Sequence, residues 1–218
     1  NAMGAGEGLD ARQMTIATPA LCAGIGLHSG VRARLTLLPA PIGTGIVFIR
    51  TDVHDRDNRI LARGDYVNET MLGTTLTNKA GVSVATVEHL LAALAGFGLD
   101  NLIIEIDGPE VPIMDGSSAM YARLLMNAGV ARQAGPRRQI RILEPIEVRQ
   151  GDKFARLVPG EGFTLDVGIA FDHAAIGTQR AHLNLTPDTF VRELAFARTF
   201  GFSEDVEKLK SMGLARGG

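Results

Sequence analysis

The order of the secondary-structure signals constrains the fold of this chain more than any other feature of its 218 residues. Strand signals come first and helix signals follow, and this order occurs twice along the sequence. Runs of strands followed by helices are typical of α+β layers, whereas a doubly wound sheet needs the two kinds of element to alternate. The order therefore predicts an α+β fold with two halves.

The first half, residues 13–129, holds the clearest single element, a helix over residues 86–97 (TVEHLLAALAGF). Thr86 can cap its N-terminus, Glu88 lies in the first turn where a carboxylate is favoured, and Gly96 and Gly98 end the apolar run. The other elements predicted in this half are strands at 32–38, 46–49 and 101–106, and a helix from Ser117 or Ser118 to Asn127.

The second half begins after residues 130–138 (VARQAGPRR), which are polar, contain Gly-Pro and show no period. We predict that they link two domains, 13–129 and 139–218. The elements predicted in the second domain are strands at 139–147, 154–158, 163–171 and 181–185, a helix at 187–197 capped by Thr186, and an amphipathic segment at 203–212 capped by Ser203.

Composition and charge exclude several classes of function. The 22 basic residues are balanced by 24 acidic ones, so the chain offers no basic face for nucleic acid. Its single cysteine, Cys22, cannot form an internal disulfide, which fits a reducing compartment. No apolar run approaches the roughly 18 residues that span a bilayer. A cytoplasmic protein without a transmembrane segment is therefore predicted.

The pair Glu88-His89 at the start of the predicted helix is the sharpest chemical feature. An imidazole can bind zinc, and a neighbouring carboxylate can act as general base on a water molecule. By itself the pair is more often a first-turn glutamate beside a partly buried histidine. A His-Glu-x-x-His motif, the usual zinc site on one helix, does not occur.

Three further segments contain candidate residues. Residues 24–30 (GIGLHSG) lack the spacing of a dinucleotide fingerprint and favour a turn between two strands. Residues 107–116 (DGPEVPIMDG) have three acids, but two prolines favour a structural turn over a metal site. After the helix at 187–197, the hydroxyl of Thr199 has the chemistry to donate to an oxyanion, although a plain helix end explains Gly201 equally well.

Taken together and in order, four segments resemble the signatures of the bacterial UDP-3-O-acyl-N-acetylglucosamine deacetylases, zinc amidohydrolases of lipid A synthesis. The segments are GIGLHSG, TVEHLLAALAGFGLDNLIIEIDGPEVPIMDGSSA, GDKFARLVPGEGFTLDVGIAFDH and ARTFGF. The resemblance runs from about Thr15 to the end of the chain.

The resemblance implies two α+β domains of similar topology, with helices packed between two sheets. It also implies hydrolysis of the acetamide of UDP-3-O-acyl-N-acetylglucosamine to acetate and a free amine, in the cytoplasm of Gram-negative bacteria, by a protein expected to be a monomer. The roles it implies are zinc ligand for His89, general base for Glu88, oxyanion donor for Thr199, positions near the reacting centre for His28 and Phe200, and positions on the nucleotide side for Lys153 and Phe171.

The chain departs from the family pattern in one respect. The family's other zinc ligands lie in a His-Lys-x-x-Asp-x-x-Gly-Asp stretch, which these 218 residues do not contain. A catalytic zinc takes about three protein ligands, so the rest are expected beyond Gly218. The second domain is then incomplete, truncated within an insert that begins at about Ser203 and lines the passage for the acyl chain. This chain alone is expected to be inactive.

Two other classes of function stay open at this point. A silent module that binds a nucleotide-sugar or a protein partner on the same fold would need no further ligands. A small-molecule kinase with a related core is disfavoured, because no phosphate-cradling loop opens a helix.

Overall fold

The computed structural model describes residues 10–217, apart from the side chain of Glu204, and shows the mixed α+β architecture that the sequence predicted. The strands are β1 (Arg12–Ile16), β2 (Ala20–Ile25), β3 (Arg32–Pro39), β4 (Ile46–Arg50), β5 (Arg59–Leu61), β6 (Val67–Glu69), β7 (Thr75–Thr77), β8 (Ser83–Val84), β9 (Leu102–Ile106), β10 (Val130–Pro136), β11 (Ile146–Gln150), β12 (Lys153–Leu157), β13 (Thr164–Ala170) and β14 (Thr178–Asn184). The helices are α1 (Glu88–Gly96), α2 (Ala119–Ala128), α3 (Pro187–Thr189), which continues as a π-helical turn (Phe190–Leu194), and α4 (Ser203–Ser211), with a 3₁₀ turn at Gly64–Tyr66.

A five-stranded sheet in the order β2-β3-β9-β4-β5 is the centre of the first half. β9 runs antiparallel to β3 and parallel to β4. Successive side chains of a strand point to opposite faces, so Leu35 and Leu37 of β3 lie with Ile104 of β9 on the buried face. The strands predicted at 32–38, 46–49 and 101–106 are confirmed.

Helices α1 and α2 contact each other and complete the core of this sheet. In α1, Leu90, Ala93 and Leu94 are buried, the i, i+3, i+4 spacing of one helix face. The chain leaves α1 through Gly98, whose φ of +64° is the left-handed conformation that ends many helices. Gly129 ends α2 in the same region of φ, as predicted.

The predicted cap position was right at α2 and α3 and wrong at α1 and α4. Ser118 stands at the N-cap of α2, although its side chain makes no capping hydrogen bond there. Thr186 caps α3 with a capping box, accepting a hydrogen bond from the N–H of Thr189. Thr86 does not cap α1: Val87 stands at the cap position, and the Thr86 hydroxyl donates elsewhere. Likewise Ser203 is the first residue of α4 and not its cap.

The segment predicted to be a linker is a strand. β10 pairs antiparallel with β1, so residues 130–136 and β1 form a two-stranded sheet. Its strand character escaped the sequence reasoning because β1 supplies the partner from more than 110 residues away. The division into domains 13–129 and 139–218 stays a prediction.

The second half consists of two hairpins and short helices. β11 pairs with β12, and β13 pairs with β14, each as a separate two-stranded antiparallel sheet. Residues 139–145, predicted to be strand, are irregular. Among the described residues, no helix is long and apolar enough to cross a membrane.

Candidate functional site

His28 lies in a tight turn that joins β2 to β3. The turn is closed by the N–H of Gly30 donating to the carbonyl of Gly26 at 3.0 Å, with Gly30 at φ +67°. The His28 Nε2 atom lies 3.0 Å from the carbonyl oxygen of Leu72. A carbonyl oxygen only accepts, so Nε2 carries the hydrogen and the tautomer of the neutral ring is set by this contact.

Glu88 and His89 begin α1, as predicted. The carboxylate Oε2 atom of Glu88 accepts a hydrogen bond of 2.9 Å from the N–H of Thr74. The Nδ1 atom of His89 is buried and has no hydrogen-bond partner among the described residues. Since Thr74 is two residues from Leu72, one short loop contacts both the His28 ring and the Glu88 carboxylate.

A buried carboxylate, Glu110, joins the His28 turn to the residue before α1. It accepts hydrogen bonds from the N–H groups of His28 (3.0 Å) and Ser29 (2.7 Å) and from the hydroxyl of Thr86 (2.8 Å). Burial acts to raise the pKa of Glu110, but these hydrogen bonds outweigh it, so the pKa lies below its usual value.

Two residues of the site occupy the left-handed region of φ without being glycine. Thr86 has φ +55° and Leu72 has φ +63°. Such conformations cost about 1–3 kcal/mol each and persist only where neighbouring contacts hold them. Here those contacts are the hydrogen bonds to Glu110 and to His28.

Thr199 reaches the same region from the second half of the chain. Its backbone N–H donates to the carbonyl of Gly116 at 2.8 Å. Ser118, two residues after Gly116, contacts α1, because its hydroxyl donates to the carbonyl of His89 at 2.9 Å. Segment 110–118 therefore contacts His28, the start of α1 and Thr199.

Aromatic side chains cluster beside Thr199. The rings of Phe171 and Phe200 meet edge to face at 5.4 Å between centroids, and Phe202 lies 5.8 Å from Phe171. The structure thus brings together two of the residues predicted to bind substrate. Lys153 lies exposed on β12, and among the described residues no hydrogen bond or ion pair joins it to the others.

Across residues 10–217, no group of three or more His, Cys, Asp or Glu side chains is arranged to hold a metal ion. A catalytic zinc takes three protein ligands. Of the residues predicted to act at the site, His89 alone was expected to bind the metal. Its Nδ1 atom is buried without a hydrogen-bond partner among the described residues, as is the Nδ1 atom of His28.

Sequence reasoning missed Glu110 and the role of Thr86. Segment 107–116 was predicted to be structural, which is correct as far as its turn is concerned, but one of its acids is buried at the site. A usable signal was present: Glu110 stands between Pro109 and the apolar run Val111-Pro112-Ile113, a context too apolar for an exposed carboxylate.

Comparison with known proteins identifies one family that matches most of the chain. Residues 13–218 match the family described as LpxC: UDP-3-O-acyl N-acetylglycosamine deacetylase. A UDP-3-O-acyl-N-acetylglucosamine deacetylase of Phenylobacterium zucineum is 52% identical over 206 residues, covering 94% of this chain and 70% of the relative. The proteins of the same name from Myxococcus xanthus (52% identical, 94% and 65% covered) and Shewanella frigidimarina (45% identical, 94% and 68% covered) are also similar.

The match extends over nearly all of this chain and about two thirds of each relative. It includes the His28 turn, the start of α1, segment 107–118 and the Thr199 segment, which the structure joins by hydrogen bonds. This chain therefore belongs to the UDP-3-O-acyl-N-acetylglucosamine deacetylase family.

Proposed function

We propose that the protein to which this chain belongs hydrolyses the N-acetyl group of UDP-3-O-acyl-N-acetylglucosamine, releasing acetate, in lipid A biosynthesis in the cytoplasm. The observation that carries the proposal is the hydrogen-bonded joining of His28, Glu88-His89 and Thr199, which come from three distant parts of the sequence. Relatives that share these segments are named for that deacetylation.

We infer that Glu88 is the general base. One carboxylate oxygen is held by the N–H of Thr74, and among the described residues no hydrogen bond reaches Oε1. We propose that Oε1 takes a proton from the water that attacks the acetamide carbon. That proton is returned to the nitrogen as the C–N bond breaks, which gives acetate and the amine.

Thr199 would stabilise the negative charge that develops on the carbonyl oxygen. Its backbone is held at Gly116 while its side chain stays exposed, so the hydroxyl is free to donate to the oxygen that becomes negative as water adds. Phe200 and Phe171 form an apolar wall beside it. We propose that this wall, with Lys153 and His28, binds the substrate, Lys153 on the nucleotide side.

Zinc is the cofactor that we propose for the complete site. When bound, it supplies Lewis acidity to a water molecule and to the carbonyl oxygen. His89 would be one ligand, and the remaining ligands are expected beyond Gly218. We propose that the 218-residue chain alone is inactive for this reason.

The general-base role is tested by Glu88→Gln in the full-length protein. The amide keeps the size of the side chain but removes its basicity, so turnover should fall by about 10² or more while substrate binding persists. Glu105→Gln on β9, away from the site, is the matched control and should keep normal turnover. Near-normal turnover of Glu88→Gln would show that Glu88 is not the general base and only stabilises the start of the helix.

Metal content of the purified chain tests the zinc proposal. After dialysis against a weak chelator, elemental analysis should find well under one zinc per chain, because one ligand is too few for tight binding. Stoichiometric zinc would show that residues of this chain complete the site. A thermal-shift series with zinc, UDP and ATP then separates the enzyme from a nucleotide-binding module, which would respond to UDP without any turnover in the full-length protein.

A further inference from the structure

Glu110 is the one carboxylate of segment 107–116 that is buried at the site, with 2% of its surface exposed. Within residues 10–217, no ion pair reaches it, so its charge is balanced by hydrogen-bond donors alone. A buried carboxylate without such donors would be strongly disfavoured. Its donors are therefore the reason that it can stay buried.

The donors come from two segments about 60 residues apart in the sequence. The backbone N–H groups of His28 and Ser29 reach the carboxylate from the β2–β3 turn. The Thr86 hydroxyl reaches its Oε1 atom from the residue that precedes Val87 and α1. One side chain thus connects the backbone that carries His28 to the backbone that carries Glu88 and His89.

The surrounding backbone is shaped to admit this carboxylate. A side chain at Gly26 would overlap the Glu110 Oε2 atom and the Ser29 hydroxyl, so the absence of one leaves room for the carboxylate. The backbone of Glu110 forms a bridge with Ala85, and Pro112 forms one with Gly26, which hold the segment against both neighbours. Thr86 keeps its left-handed φ of +55° while donating to Glu110.

We propose that Glu110 is a positioning residue of this site, whose buried carboxylate fixes the His28 turn and the start of α1 relative to each other. It acts through His28 and through Thr86 and does not itself touch the substrate. Its effect on catalysis rests on the proposed function, whereas its effect on the geometry of His28 does not.

The first test measures the tautomer of His28 by ¹⁵N NMR of the imidazole rings, with the signal assigned by His28→Asn. The wild-type protein should show the Nε2–H form, because Nε2 donates to the Leu72 carbonyl. In Glu110→Gln one carboxylate oxygen becomes an N–H₂ group and the charge that strengthens these hydrogen bonds is lost. The turn is then held more weakly, so His28 should average between both tautomers.

Asp107→Asn is the matched control for this measurement. Asp107 lies in the same segment and also accepts from a backbone N–H, that of Arg34, at 2.6 Å, but it is exposed and remote from His28. Its substitution should leave the His28 signal unchanged. A wild-type His28 signal in Glu110→Gln would overturn the proposal.

The second test is kinetic and uses the full-length protein. Glu110→Gln should lower kcat about tenfold or more with a much smaller change in KM, because catalytic groups displaced by a fraction of an ångström lose rate more than binding. Thr86→Val removes a single hydrogen bond and should lower kcat less, while Thr86→Ser should restore it. If Glu110→Gln does not fold, Thr86→Val still provides the kinetic test of the positioning role.

A double-mutant cycle completes the test. If Thr86 acts through Glu110, Thr86→Val should add little to the loss already caused by Glu110→Gln. Multiplicative losses, or Glu110→Gln with the kinetics of Asp107→Asn, would overturn the proposal. A wild-type protein without deacetylase activity would instead refute the proposed function, while the His28 tautomer still decides the role of Glu110.

Discussion

The two halves of this chain form strands equally well but bury them very differently. In the first half, the central sheet packs against α1 and α2, and its inward residues lie in one hydrophobic core. In the second half, one face of the β11–β12 hairpin carries Ile146, Val148 and Leu157, which are 52%, 71% and 54% exposed. Their cross-strand register puts all three on that face.

The difference separates two contributions to the stability of a sheet, which are strand pairing and burial of an apolar face. Strand pairing is satisfied within a hairpin, because each strand supplies the hydrogen-bond partners of the other. Burial of the apolar face needs a second layer, and a two-stranded hairpin without one is marginal in water. Regular secondary structure in the second half therefore does not imply comparable stability.

Several contacts join the second half to the first, and Phe190 is the largest fully buried side chain among them. Phe190, at the start of the π-helical turn, is buried and meets Phe97 edge to face at 6.3 Å between ring centroids. The ring lies over Gly96, where any side chain would overlap it. A second, smaller contact is made by the C-terminal residues, where the N–H of Gly217 donates to the carbonyl of Leu27 at 3.0 Å.

Hydrogen exchange should show the largest difference between the halves. Amides of Leu90–Leu94 in α1 should exchange at least about 10³-fold more slowly than those of Val206–Met212, since local opening ranges from near zero to the full stability of the core. Val206 and Leu209 in α4 are only half-buried, and a helix this short needs packing to persist. Equal protection would show that the C-terminal segment is as stable as the core.

Two substitutions of strand residues by alanine, one in each half, should show a smaller difference, measured as the loss of free energy of unfolding. Ile104→Ala removes a fully buried side chain from β9 and should lower the free energy of unfolding by about 2–5 kcal/mol. Val148→Ala on β11 removes an exposed one and should change it by about 0.5 kcal/mol or less. Denaturant titration of both variants gives the comparison, and similar losses would mean that the β11–β12 face is covered in solution.

Gly96→Ala tests the contact between the halves. In a free helix, alanine would stabilise by up to about 1 kcal/mol over glycine. Here the added methyl group meets the Phe190 ring, so we expect a net loss of about 1–3 kcal/mol from overpacking. Gly96→Ala in a Phe190→Ala background is the control, where the same substitution should become neutral or stabilising. A stabilising effect in the wild-type background would show that Phe190 does not pack at Gly96.

Much of the secondary structure was predictable from the sequence because its signals are local. The alternation of residues 32–38, the apolar runs of β4 and β9, and the glycines that end α1 and α2 each act within a few residues. β10 was not predictable in this way, because its partner β1 lies at the other end of the first half. The cap predicted at Thr86 failed because a buried carboxylate takes its hydroxyl.

The same distinction between local signals and long-range contacts applies to the candidate site. The sequence by itself determined the α+β order, the position of Glu88-His89 at a helix start and, through four ordered segments, the family. Only the tertiary structure decided that Glu110 is buried between His28 and Thr86, and that Thr199 is held at Gly116. The physical reason is that a hydrogen bond between distant segments leaves no periodic trace in either one. It exists only when packing brings donor and acceptor to within about 3 Å of each other and excludes the water that would replace them.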